Sequence, residues 1–236
     1  MAAPDLAGVA IVGVGAFNPA IIHPAWLADK ELIPQNQAEH AMRQTDAQQL
    51  IVTPQVAVFV ADWLSVQVTQ NQAVFSTVDL GREADLRDLV LGIWELLPET
   101  PVDAIGINAD SHFRIPSEEA WHAFGDRFLP KDFWNPLFEG GACIKRPDGQ
   151  AVGMRVMTVE VARSDRQTPG FVRVELAPSV RLGPHGVYVG INAHFQLRKT
   201  ADQRTTASDA ARALRENWDS TRTLESSLSA KLSEAV

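Results

Sequence analysis

The sequence has one cysteine, one tyrosine, no long apolar run and no cluster of basic residues. Each shortage closes a class of function. Cys143 on its own excludes an internal disulfide and a cysteine-rich zinc site, and it suits a reducing compartment. Asp and Glu outnumber Lys and Arg by 29 to 21, which leaves a net charge of −8. An acidic surface opposes sequence-independent binding to nucleic acid, because that binding needs Lys and Arg to displace counterions from phosphates. No stretch stays apolar for the ~20 residues that a membrane-spanning helix needs. The start, Met1-Ala2-Ala3-Pro4-Asp5, lacks the basic region and apolar core of a secretory leader. The expectation is a soluble cytoplasmic protein that binds neither membrane nor nucleic acid. Its 236 residues, 45% of them hydrophobic, suffice for one large packed unit or two small ones.

What is present is a phrase said twice. It reads Gly106-Ile107-Asn108-Ala109-Asp110-Ser111-His112-Phe113 and then Gly190-Ile191-Asn192-Ala193-His194-Phe195. Both copies alternate strictly between apolar and polar residues, the signature of a half-buried strand. They differ by the Asp110-Ser111 pair, and an insertion of that length keeps every later side chain on its original face. The repeat predicts two similar halves, residues 1–130 and 131–236, packed together as one unit. It predicts that Asn108 superposes on Asn192, His112 on His194 and Phe113 on Phe195.

Around the repeat, periodicity predicts the other elements. Gly8 to Phe17 reads as a buried strand. It ends in Gly13-Val14-Gly15, but Asn18 stands where a dinucleotide fingerprint has its third glycine, and no distal strand carries the acid that would hold a ribose. Gln35 to Gln49 reads as a polar surface helix. Gln55 to Gln70 reads as one long strand with Val56, Val58, Val60, Leu64, Val66 and Val68 on one face and a bend at Asp62-Trp63. Asn71-Gln72 turns it back into Ala73 to Asp79. Ala84 to Leu97 is a helix by its apolar spacing, and Ser117 caps another that begins with Glu118 and Glu119. Pro147-Asp148-Gly149 marks a turn into a strand from Gln150 with a bulge near Val156. Ser208-Asp209 opens a long C-terminal helix whose leucine stripe, Leu214 to Leu232, should leave its last turns for a partner. The fold class expected is α+β: internally duplicated antiparallel sheets with helices on one face and a long C-terminal helix.

The Ala61-Asp62-Trp63-Leu64 segment, the Leu86 to Leu97 helix ending at a proline, and Ile105-Gly106-Ile107-Asn108 through His112-Phe113 carry one likeness. In these residues, mainly 50–115, the chain resembles a sporadically distributed bacterial family of similar length. The resemblance implies no activity, cofactor or site residue.

The polar faces of the repeat strands are the candidate site. Asn108, Asp110 and His112 project together, as do Asn192 and His194. Brought together, two histidines and a carboxylate would suffice for a metal with open positions. The plainer reading makes them hydrogen-bonded structural groups, and no metal or cofactor is expected. Repetition favours structure, because catalysis needs differentiated acid and base roles. Cys143 beside His185 or His194 would make a nucleophile pair, yet a lone cysteine at a strand start reads as a small buried hydrophobe. His23 reads as a helix-entry residue, and His40 and His122 as solvated helix residues. The six tryptophans lack the basic groove of a stacking platform. The favoured function is a non-catalytic interaction or assembly protein that self-associates, through a sheet edge or the C-terminal helix, and binds a protein partner. The alternative is an enzyme or small-ligand sensor built on the Asn and His faces.

Overall fold

Strand β1 (Leu6–Gly15) lies between β5 (Gln72–Thr77) and β6 (Val102–Arg114) in a nine-stranded antiparallel sheet. The computed structural model describes residues 3–43, 50–138, 153–163, 168–197 and 204–234. The remaining strands are β2 (Leu50–Val52), β3 (Val56–Ala61), β4 (Leu64–Thr69), β7 (Met157–Arg163), β8 (Gly170–Pro178) and β9 (Gly186–Gln196). Their spatial order is β2-β3-β4-β5-β1-β6-β9-β8-β7. The helices are α1 (Pro24–Asp29), α2 (Gln35–Arg43), α3 (Glu83–Leu96), α4 (Glu118–Phe128), α5 (Lys131–Phe138) and α6 (Ala207–Ser233). This is the expected α+β class, with one continuous sheet crossing the boundary between the two expected halves. Among the described residues no helix is long and apolar enough to cross a membrane.

Alternation sorts the sheet into two faces. Val9 and Ile11 of β1 sit beside Ala109 and Ile107 of β6, and these sit beside Ile191 and Ala193 of β9. Phe75, Val66 and Phe59 continue the same face outward, and all of these larger side chains are buried. Helix α3 packs on β5 and β1, and α6 packs on β6 and β9. The buried α3 stripe, Leu86, Leu89, Val90, Ile93 and Trp94, recurs at helical spacing and joins Leu214 and Trp218 of α6 in one core. Burying a residue of this size contributes about 1.5–3 kcal/mol. Thr206 and Asp209 close a capping box at the start of α6, and Thr205 accepts a hydrogen bond from Val102, which ties that end to β6.

Three local expectations change. Gln55 to Gln70 is a hairpin rather than a bent strand. Asp62 takes a left-handed φ of 58°, which Asp tolerates, and Ala61 pairs directly with Leu64. The reversal exchanges faces, so Ala57, Phe59 and Ala61 are buried with Leu64, Val66 and Val68, and Val56, Val58 and Val60 lie on the other side. The strand expected from Gln150 is β7, which begins at Met157; Met154 instead packs against the core. The Pro147-Asp148-Gly149 turn and Cys143 lie outside the described residues.

The C-terminal helix is used by its own chain along its length. Leu224, Leu228 and Leu232 are half-buried against the core. On an adjoining stripe Arg222 pairs with Glu83 at 2.6 Å and with Glu225.

Candidate functional site

The repeated phrases form the central strand pair. From Ala104↔Gln196 to Arg114↔Gly186, β6 and β9 pair in unbroken register, with Asn108 directly opposite Asn192. A local twofold axis passes through that pair. It equates Asp110 with His194 and His112 with Gln196, so the expected match of His112 to His194 and Phe113 to Phe195 does not hold. The reason is that no bulge takes up the Asp110-Ser111 insertion. The surroundings also differ, since β1 stands between β5 and β6, whereas β8 and β9 are direct neighbours.

All five candidate residues share the sheet face away from α3 and α6. Two of them meet at the axis. Asn108 and Asn192 each present a buried Oδ1 that accepts no hydrogen bond among the described residues. Their side chains lie over a floor of small residues. A methyl group at Gly106 would come within 3.2 Å of Asn108 Oδ1, and one at Gly190 would collide with the Tyr188 hydroxyl.

His112 is buried and held by a hydrogen bond at one ring nitrogen. Its Nδ1 lies 2.8 Å from Ser179 Oγ, which also accepts from the N–H groups of Arg181 (3.1 Å) and Leu182 (2.9 Å). With both lone pairs of that oxygen taken, the hydroxyl proton points to Nδ1. The imidazole therefore carries its proton on Nε2, which faces Asp110 Oδ2 at 3.7 Å. Burial pushes its pKa below the usual histidine value, Asp110 opposes that shift, and Arg181 adds to it. Tyr188 lies 5.2 Å away ring to ring, and burial raises its hydroxyl pKa, so it stays protonated. Asp110, His112 and Ser179 have the composition of a hydrolytic triad, but Asp110 lies 3.7 Å from Nε2, outside hydrogen-bond reach, and Ser179 Oγ is engaged by two backbone N–H groups.

His194 stands apart. It stacks on Phe171 at 4.7 Å, and the Arg173 guanidinium lies 4.9 Å from the same ring while pairing with Glu160 at 2.7 Å. Burial is the main cause of its lowered pKa; Gln196 raises it, Arg173 lowers it and Glu160 raises it. His194 is opposite Gly106, whereas His112 is opposite Tyr188, so their Cα atoms are separated by about 20 Å of strand. The two histidines do not converge on a common ion. Among the described residues no group of three or more His, Cys, Asp or Glu is placed to hold a metal.

The remaining sequence candidates resolve individually. Gly13 packs beneath Phe17 and Trp94, and β1 runs on into a short 3-10 turn, Pro19–Ile21, so no long helix presents its N-terminus to a nucleotide phosphate. His23 caps α1, its Nδ1 accepting from Ala25 at 3.1 Å. His40 is exposed as expected, but His122 is largely enclosed beside Trp121, 3.8 Å from Glu118. Sequence reasoning missed Ser179, Tyr188 and Phe171, which complete the environments of the two histidines. The chain matches no protein-family model and no curated protein.

Proposed function

We propose that this chain is a cytoplasmic, non-catalytic assembly protein that associates with a second copy of itself through the outer edge of β7. One observation carries the reading. Among the described residues β7 ends the sheet, and Val159 and Val161, which face the side that helices cover elsewhere, are 47% and 61% exposed. A terminal strand offers a row of N–H and C=O groups to any strand that can align with it. Natural edges are blunted by proline, lysine or shortness, and Met157–Arg163 has no proline or lysine. The opposite edge, β2, is only three residues long. Two β7 strands pairing antiparallel about a twofold axis would satisfy both edges and cover the valines with each other. The C-terminal helix is the weaker candidate, because its leucines pack on their own core. The test is light scattering on the wild type and on Val159→Lys/Val161→Lys. A dimer that becomes a monomer without loss of melting temperature supports the reading, and a wild-type monomer at ~100 μM, a concentration where a micromolar interface is occupied, rejects it.

A second reading, a sensor of a small hydrogen-bond donor, rests on the buried, unpartnered oxygens of Asn108 and Asn192. A bridging amide or amidine N–H pair would satisfy both. Titration with benzamidine, followed by the amide NMR signals of these two side chains, tests it.

A further inference from the structure

A cleft of about 330 Å³ opens between the last turns of α6 and strands β1 and β6. Its helical wall is a polar stripe at spacings of three and four: Arg222, Glu225, Ser226, Ser229 and Ser233. The opposite wall is mainly apolar or hydroxylic, with Ala7, Ala109, Ser111 and Phe113, and Leu80 contributes to the rim. We propose that this cleft binds a small molecule with a primary ammonium group and a short apolar body, the ammonium pairing with Glu225.

The argument begins with an imbalance of charge. Arg222 gives Nε and Nη2 to Glu83 at 3.1 and 2.6 Å, and it gives Nη1 to Glu225 Oε2. Three of its five N–H donors go to these two carboxylates. Two carboxylates share one cation, so an ionised Glu225 leaves a net negative charge inside the fold. Glu225 is only 2% exposed, and its Oε1 has no hydrogen-bond partner. A buried carboxylate oxygen without a donor is a costly arrangement that a ligand can relieve.

The surroundings select the ligand. An anion would meet the Glu225 carboxylate, with the negative charge of Glu83 acting on the same group. Among the described residues, no set of metal-binding side chains gathers here. An ammonium has three donors, one for Glu225 Oε1 and two for serine hydroxyls, which accept readily. Ala109, Phe113 and Leu80 then enclose a hydrocarbon body. The cleft volume corresponds to about ten atoms of the size of a water molecule.

Binding should also move a proton. Burial pushes the Glu225 carboxyl up to about 7, against Arg222 and with Glu83. Near neutrality the empty cleft holds that proton, and an ammonium displaces it. Affinity therefore rises with pH through about 7.

Calorimetry with n-hexylammonium, hexanol and hexanoate tests the proposal. The ammonium is expected to bind at least about tenfold more tightly than the alcohol, the gain of one charge-assisted bond. Hexanoate should not bind. At pH 6 the heat should depend on the buffer's ionisation enthalpy, which reports the released proton. Glu225→Gln should abolish the preference for ammonium over alcohol. Ser229→Leu, which fills the cleft without touching the Arg222 pairs, should abolish binding of both. Absence of hexylammonium binding, equal binding of alcohol and ammonium, or binding that survives either substitution overturns the proposal. The outcome is independent of the oligomeric state of the chain.

Discussion

Asn108 and Asn192 face each other across the central strand pair, and the Oδ1 of neither accepts a hydrogen bond among the described residues. A buried, unsatisfied carbonyl costs about 1–3 kcal/mol, so each asparagine weakens the strand it occupies. Valine suits a strand better and removes the unsatisfied acceptor. Asn108→Val should therefore raise stability by about 1 kcal/mol in urea denaturation, and Asn192→Val by a similar amount. Because the residues are direct cross-strand neighbours, the double variant should depart from additivity by about 0.5 kcal/mol or more. Loss of stability in either single variant would mean that these oxygens are satisfied in solution.

The Ser179–His112 bond predicts a local effect. Ser179→Ala leaves His112 Nδ1 buried without a donor and also removes the acceptor for Arg181 and Leu182. It should cost about 2 kcal/mol. His112→Gln, which keeps donor and acceptor capacity, should cost about 1 kcal/mol. Equal, negligible costs in thermal melts would remove the hydrogen-bond account.

Two kinds of buried group give opposite pH dependence. For His112 and His194 the folded pKa is below the unfolded value of 6.5. The unfolded chain then binds more protons, so their stabilisation is lost as pH falls from 6.5 toward the folded values. Glu225 is raised from 4.5 to about 7, so the folded chain binds more protons between those values. Its contribution is complete below 4.5 and is lost as pH rises to about 7. That loss is on the order of 3 kcal/mol. Glu225→Gln should leave stability near pH 4.5 unchanged and raise it at pH 8, measured by denaturant midpoints across pH. An equal shift at both pH values would contradict the buried-carboxyl account.

How much was legible follows from the same residues. β6 and β9 were readable because Ile105, Ile107 and Ala109, and Val189, Ile191 and Ala193, alternate without interruption with the more polar residues of the other face. The hairpin at Asp62 was not, because its turn uses Asp and Trp in place of glycine, and Ala57 and Ala61 are too small to announce a buried face. Ser179 and His112 are 67 residues apart in sequence and meet only through sheet topology. Glu225 and its serines were hidden for another reason. A polar stripe on a surface helix has the same spacing whether it faces water or a cleft. Phe113 and Phe195 were correctly placed in the core, and Phe195→Ala should cost about 3–5 kcal/mol in equilibrium unfolding.

Self-association through β7 is tested most directly by a distance. A spin label on Glu160→Cys, in a Cys143→Ser background, sits at the middle of the exposed strand. If two β7 strands pair antiparallel, the label and its symmetry mate lie within about 20 Å, since neither strand is long enough to separate them further. The account predicts a dipolar signal in that range, lost when Val159→Lys and Val161→Lys are added. Labelled protein at ~100 μM with no dipolar interaction would contradict it.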